Sequence, residues 1–411
     1  MAETIAGLER LGLRPRLYAL DAATDNAASA RDAGRSQPFR QVAMHLQRLA
    51  TAPLRYLIAL TSAALRHRAG LAEFALAVRL TQTLQRDGIV HVHACDLACA
   101  SLAQSVACLS GMRFSTSLAS QTLDAANRRA LERSVSAAHF TLLPTDTALR
   151  AVKEIAPRAA VHRVYPSVDS RHYSPKLRSR PASVPLLLAV GEARARWDMA
   201  PLVEACRRLA QGGTVLRCEV VGAAHDLPSL QAQIDRCGLR DRVRLVGPLS
   251  ASKLMERYSR AAIFVQVPSV AAHASLAGIP PGLLEAMAMG MPVIAARTPA
   301  TEECVTHASS GWLVASGDAS QLFDAIQRLL VEPRLGESLG KKARETAVER
   351  FDCDTNLQTL QQLLEDASRR AALAPAQPTA PATRDPHANL SIGIRRPAVS
   401  PQRVPPELHH A

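Results

Sequence analysis

Between residues 186 and 315 short apolar runs alternate with helical patterns, and that alternation restricts the fold more than any other feature. The runs "LLLAVGE", "RCEVVGA", "RVRLVGPL", "AIFVQVPS", "PVIAA" and "GWLVAS" read as strands, with helices near 199–211, 228–238, 252–260 and 281–289 between them. Strand, helix and strand in repetition is the pattern of a parallel sheet covered by helices. With helices continuing to about 370, the series predicts a doubly wound α/β domain over 166–370.

A similar alternation occupies residues 1–165, with strands at "RPRLYAL", "GIVHVHAC", "RFSTSLA" and "HFTLLPT". The turn-like stretch "YPSVDSRHYSPKLRSRPASVP" separates the two series. At 411 residues each domain can bury its own core. Aromatic residues are only 3%, so that core must be built from Ala, Leu and Val. From 371 to 411 the chain turns rich in Pro, Ala, Arg and Ser ("APAQPTAPATRDP", "RRPAVSPQRVPPELHHA"), too poor in large apolar side chains to pack. This tail is expected to be disordered and dispensable for folding.

The formal net charge of +13 favours anionic partners: nucleotide phosphates, nucleic acid or an acidic membrane surface. Basic residues are not interleaved with aromatics, which argues against nucleic acid. The eight cysteines show no C-x-x-C pair and no zinc-like spacing to histidine, as expected of reduced thiols in the cytosol. The first twenty residues lack the basic and apolar regions of a signal peptide. "RYLIALTSAALRHR" is too short to span a bilayer and reads as a core or interfacial helix. The expected location is cytoplasmic, with peripheral contact to the inner membrane allowed.

The candidate site is the stretch "AGIPPGLLEAMAMGMPVIAA", residues 277–296. In an open parallel sheet, ligands sit beyond the carboxyl ends of strands, where loops enter helices. A helix opening at Pro281 would aim N–H groups and a positive dipole end at an anion such as a diphosphate. Glu285, one turn in, can accept two hydrogen bonds from a vicinal diol such as a ribose; alternatively it only stabilises the helix dipole. Arg194 and Arg196 on the loop after "LLLAVGE" could reach a diphosphate or remain solvated. His91 and His93 alternate on one face of a strand end, as acceptor-side ligands or as structural residues. The D-x-D of "FDCDTN" does not follow a strand, and "GESLGKKA" lacks the spacing of a phosphate-binding loop.

The run from "PSVAAHASLAGIPPGLLEAMA" through "GMPVIAARTPATEECVTHASSGWLVASGDASQLFDAIQRLL" resembles the donor-binding half of glycosyltransferase family 4, retaining enzymes of bacterial exopolysaccharide and lipopolysaccharide assembly. "VGEARARWDMAPLVEA", "VYPSVDSRHYSP" and "ETIAGLERLGLRPRLYAL" extend the likeness more weakly. The resemblance implies the GT-B fold, two Rossmann-like doubly wound domains facing a cleft. It also implies transfer of a sugar from a nucleoside diphosphate donor to a glycan or lipid-linked acceptor, without a cofactor or metal. The donor side would comprise Gly278, Gly282, Leu284, Glu285 and Glu303 with Arg194 and Arg196. His91 and His93 would lie on the acceptor side, and no catalytic residue is assigned.

Several positions depart from the family pattern. The family's Arg and Lys after the first strand of the second domain fall on Glu192 and Trp197, and the first acid of its Glu-x7-Glu pair on Ala277. Its loop Gly falls on Ala300 after Pro299, its first-domain His near Ala119, and its crossing Gly on Ser167. The family's first strand with its glycine loop has no counterpart near Met1. Two readings stay open: an active transferase, or a catalytically degenerate relative that binds nucleotide, glycan or a partner of the same pathway.

Overall fold

The structure is a computed structural model that describes residues 8–10, 13, 15–19, 38–64, 68–119, 123, 128–179, 183–191, 199–222, 227–266, 278–372 and 390–395. In chain order its elements are β1 (Arg16–Ala19), α1 (Pro38–Thr51), α2 (Pro53–Ala64), α3 (Arg68–Arg86), β2 (His91–Ala94), α4 (Leu97–Ser110), β3 (Arg113–Ser117), α5 (Arg128–Ala137), β4 (Thr141–Leu143), α6 (Asp146–Ile155) and β5 (Val161–Arg163). There follow β6 (Leu186–Val190), α7 (Ala200–Gln211), β7 (Arg217–Val221), α8 (Leu227–Arg236), β8 (Val243–Val246), α9 (Ala251–Arg260), β9 (Ile263–Gln266), α10 (Pro281–Ala288), β10 (Val293–Ala296), α11 (Pro299–Cys304), β11 (Trp312–Val314), α12 (Ala319–Val331), α13 (Pro333–Phe351), α14 (Cys353–Ala372) and β12 (Leu390–Arg395).

These strands form two six-stranded sheets, ordered β1-β12-β2-β3-β4-β5 and β11-β10-β9-β6-β7-β8. Every pairing in the second is parallel. The chain enters that sheet at β6, moves outward through β7 and β8, then returns to place β9 on the other side of β6. The β6/β9 boundary is therefore the topological switch point, where an open α/β sheet has its ligand crevice. Two compact units result, one of residues 1–117, 133–141 and 364–411, the other of 118–132 and 142–363.

Alternation along the buried strands builds two core layers in the second unit. Leu187, Ile263 and Ile294 pack with Leu202, Leu209 and Ile326 on one face of the sheet. Their neighbours Leu188, Phe264 and Val293 pack with Leu283, Met287 and Phe351 on the other. At the carboxyl ends of β6 and β7 the backbones close tightly. Gly191 N–H donates to Val221 O at 2.8 Å, and a Cβ on Gly222, at φ +123°, would strike the Gly191 carbonyl. In the first unit Val92, Ala94 and Phe114 form the core with Phe74, Val78, Leu102 and Val106 of α3 and α4.

One expectation needs correction. Residues 390–395, assigned to a tail too polar to pack, form β12, which pairs parallel with β1 on one side and β2 on the other. Leu390 stands opposite His91 and Ile392 opposite His93. The physical reason is local: "LSIGIR" carries apolar residues at every second position, a strand period that the composition of the whole tail conceals.

Candidate functional site

The helix α10 is nearly apolar all round, with Leu283, Leu284, Ala286, Met287 and Ala288 buried, so it sits inside the second unit rather than on its surface. Its start lies beside the switch point: a Cβ on Gly282 would meet Tyr258 Oη at 3.1 Å, Val190 Cβ at 3.4 Å and Phe264 Cζ at 3.5 Å. Gly282 thus lets the helix start press against β6 and β9. Leu284 is 1% exposed and belongs to the core, so its side chain is not available to a ligand. Gly278 lies on the chain just before the helix.

The start of α10 offers fewer free N–H groups to an anion than its sequence suggested. Pro280 is the N-cap and Pro281 the first helical residue, so neither brings an N–H. The Leu283 and Leu284 amides turn inward onto the Pro280 carbonyl at 3.1 and 3.4 Å.

Glu285 stands in the second turn of α10, half-buried. Tyr258 from α9 donates its hydroxyl to Glu285 Oε2 at 2.7 Å, with a weaker approach to the Gly282 carbonyl at 3.3 Å. Burial raises the Tyr258 hydroxyl pKa well above its ordinary value, and the charge of Glu285 and the hydrogen bond to it raise it further. The phenol stays protonated and acts as donor.

The far end of α10 is pinned by two guanidinium groups. Arg344 donates to the Ala288, Tyr173 and Ser170 carbonyls at 2.6, 2.7 and 2.8 Å. Arg178 donates to Gly290 O at 3.2 Å and Ala261 O at 2.9 Å. Cations on the last carbonyls favour the helix dipole and fix the register of Glu285. Tyr258, Arg344 and Arg178 were missed in the sequence, because their partners are backbone atoms or lie tens of residues away.

Glu303 is engaged within the protein. Its carboxylate accepts from Asp146 N at 2.8 Å, Thr147 N at 2.9 Å and Thr147 Oγ1 at 3.0 Å, while Thr145 Oγ1 accepts from Ala148 N. Together they satisfy the opening amides of α6. The aspartates of "FDCDTN" are engaged too: Asp352 accepts from Ser170 N, and Asp354 pairs with Arg171.

His91 and His93 are 0% and 3% exposed inside the first unit. His91 Nε2 and His93 Nδ1 both lie 2.7 Å from Ser115 Oγ, and His93 Nε2 lies 2.8 Å from Ser117 Oγ. Phe140 stacks on His91. Burial, reinforced by His93, His139 and Arg113, lowers the His91 pKa to about 3, and burial lowers that of His93 to about 4. Both are neutral imidazoles in a buried hydrogen-bonded chain. Arg194, Arg196, Glu192, Trp197 and Ala277 lie outside the described residues.

A shallow hollow, open to solvent, lies at the carboxyl ends of β9, β10 and β11, lined by Gln266, Ala296, Val314, Pro201, Asp318 and Leu322. The Asp318 carboxylate caps α12 through Ser320 N and Gln321 N, which leaves the Gln266 amide as its main polar feature.

Residues 175–346, which contain β6 to β11 and the whole of α10, match the family described as Glycosyl transferases group 1. This stretch of the chain is similar to the group 1 glycosyltransferases. The amylovoran biosynthesis glycosyltransferase AmsK of Erwinia amylovora is 30% identical to the chain over 162 residues, 39% of this chain and 40% of its own. The putative colanic acid biosynthesis glycosyltransferase WcaL of Escherichia coli K12 is 28% identical over 203 residues, 49% of each. The chain thus spans less than half the length of these two relatives. The crystal structure of HepE from Anabaena in complex with UDP superposes with a TM-score of 0.62 at 18% identity, covering 71% of this chain and 82% of that one. The fold is that of the GT-B glycosyltransferases, with two Rossmann-like α/β units and the group 1 stretch in the second.

Proposed function

We propose that the chain is a retaining glycosyltransferase that moves a sugar from a nucleoside diphosphate donor to a glycan or lipid-linked acceptor in surface polysaccharide synthesis. The observation that carries this reading is Glu285, a half-buried carboxylate fixed by Tyr258 at the switch point of the group 1 stretch and suited to a ribose diol. The likeness to AmsK and WcaL supports polysaccharide synthesis, and the structure of HepE with UDP supports a nucleotide donor. Arg194 and Arg196 are assigned to the departing diphosphate, since Glu192 and Trp197 supply no cation. The reaction needs no resident cofactor or metal, and a chelator should leave turnover unchanged. The enzyme works at the cytoplasmic side of the inner membrane, in peripheral contact with it.

Calorimetry with UDP, GDP and their sugars tests this. The wild type should bind on the order of hundreds of micromolar, because two charge-assisted contacts worth ~1.5–3 kcal/mol each are missing at Ala277 and Glu192. Glu285→Gln should weaken binding about tenfold or more. Ala277→Glu, Glu192→Arg and Trp197→Lys together should tighten it. Micromolar wild-type binding indifferent to Glu285→Gln would remove the site, and binding without sugar transfer would return the chain to a nucleotide-binding subunit.

A further inference from the structure

A chain of hydrogen bonds runs along one face of the paired strands β2 and β3, from a buried end to an open one. His91 Nε2 and His93 Nδ1 both contact Ser115 Oγ at 2.7 Å, and His93 Nε2 contacts Ser117 Oγ at 2.8 Å. His91, His93 and Ser115 are buried, whereas Ser117 is half-buried. Ser117 is also the last residue of β3, at the carboxyl edge of the sheet, where ligands sit in a parallel α/β fold. At the inner end, His91 Nδ1 meets no hydrogen-bond partner among the described residues.

These contacts fix the direction of the chain. Each imidazole is neutral and carries one N–H, while a serine hydroxyl carries one proton and two lone pairs. Three arrangements keep all three contacts as hydrogen bonds. If both rings donate to Ser115, the serine proton is buried with no acceptor among the described residues. If the chain runs inward from Ser117, a buried N–H is left on His91 Nδ1 with nothing to receive it. If it runs outward, His91 Nε2 donates to Ser115, Ser115 to His93 Nδ1, and His93 Nε2 to Ser117. Every proton between His91 and Ser117 is then received, and His91 keeps only an unused lone pair. A buried N–H without an acceptor is the rarer defect. Arg113 stands opposite His91 in the register, and its positive charge favours a lone pair there over an N–H.

In the outward direction Ser117 already accepts from His93, so its own proton is left for a ligand at the edge of the sheet. Hydrogen bonds in sequence polarise one another, which strengthens Ser117 as a donor. The oxygen that suits such a donor is one that only accepts, an amide carbonyl or a carboxylate, because a sugar hydroxyl must also place its own proton.

We propose that Ser117 is a binding residue on the acceptor side of the transfer reaction, donating its hydroxyl to a carbonyl or carboxylate oxygen of the acceptor sugar, with His93, Ser115 and His91 as its positioning residues. This rests on the transferase reading above and names the acceptor chemistry. Sugar binding is read without nucleotide, so its failure leaves donor binding at Glu285 to stand or fall separately.

Nitrogen-15 spectra of the full chain test the direction, because protonated and bare imidazole nitrogens resonate far apart. His91 and His93, assigned by the signals lost in His91→Asn and in His93→Gln, should both carry the proton on Nε2. Titration with glucose, N-acetylglucosamine and glucuronic acid tests the ligand. One or both of the last two should bind roughly two- to tenfold more tightly than glucose, the worth of one hydrogen bond, and should shift the His93 Nε2 signal. The tighter of the two tells amide from carboxylate. Ser117→Ala should erase the preference and Ser117→Thr, which keeps the hydroxyl, should retain it, with melting curves showing both variants folded. Three results overturn the proposal: a proton on Nδ1 of either ring in the wild type, glucose bound as tightly as both other sugars, or a preference left intact by Ser117→Ala.

Discussion

The Tyr258 hydroxyl donates to Glu285 Oε2 at 2.7 Å, joining the end of α9 to the second turn of α10 across 27 residues of sequence. Tyrosine here is a positioning residue, since it acts on a ligand through the carboxylate that it orients. Tyr258→Phe keeps the buried ring and removes the hydrogen bond. Nucleoside diphosphate binding should weaken roughly two- to tenfold, because the carboxylate keeps its contact with the ligand but loses the hydrogen bond that orients it. The 2′-deoxy analogue, already short of one hydroxyl, should lose less, and calorimetry on both ligands measures the difference.

Glu303→Ala should destabilise the second unit by about 1–2 kcal/mol, because Asp146 N and Thr147 N lose their acceptor at the start of α6. Glu303→Gln, which keeps one carbonyl oxygen, should recover part of that loss. Urea denaturation of the three proteins decides it, and nucleotide affinity should stay the same in all of them.

Acid should weaken the first unit through His91 and His93. Their folded pKa values, about 3 and about 4, lie below the ordinary imidazole value of 6.5. The unfolded chain therefore binds the extra protons, and stability present above pH 6.5 is lost as pH falls toward 4. The slope is up to about 1.4 kcal/mol per pH unit for each imidazole. Melting curves at pH 7 and pH 5 should separate more for the wild type than for His91→Asn with His93→Gln. Equal separation would mean that other groups set the acid response.

Removing residues 371–411 should lower the melting temperature, by about 5 °C or more if the loss reaches ~2–3 kcal/mol. The deletion strips β1 and β2 of the strand hydrogen-bonded between them. Ile392→Pro is the finer probe, because proline removes an N–H from a strand that is paired on both sides. A truncated chain that melts as the full one does would remove β12 from the sheet.

How far the sequence could be read depended on whether each signal was local. The strands from "LLLAVGE" to "GWLVAS" announced themselves by apolar runs, and the helix at Pro281 by its proline and closing glycine. Glu285 was found by its position on that helix. Its holder Tyr258 was not, since only the folded sheet brings residue 258 beside residue 285. His91 and His93 were visible as a pair, but their role depended on Ser115 and Ser117 from the next strand. Glu303 was assigned to the donor side by the family's spacing, but it stands near the end of α11, and the amides of α6 that occupy it lie more than 150 residues earlier. The tail was misread because average composition over forty residues outweighed a six-residue alternation.

The place of β12 also sets an order of events during synthesis. Its neighbour β2 leaves the ribosome about 300 residues before it does, an interval of roughly 15 to 60 s at ~5–20 residues per second. Throughout that interval the edges of β1 and β2 have no third strand between them, and every strand of the second sheet emerges within it. The later half of the chain can therefore mature first, and the earlier half closes only after translation has passed Arg395. In the meantime the facing edges of β1 and β2 present unpaired backbone groups, the kind of edge that another strand can pair with wrongly.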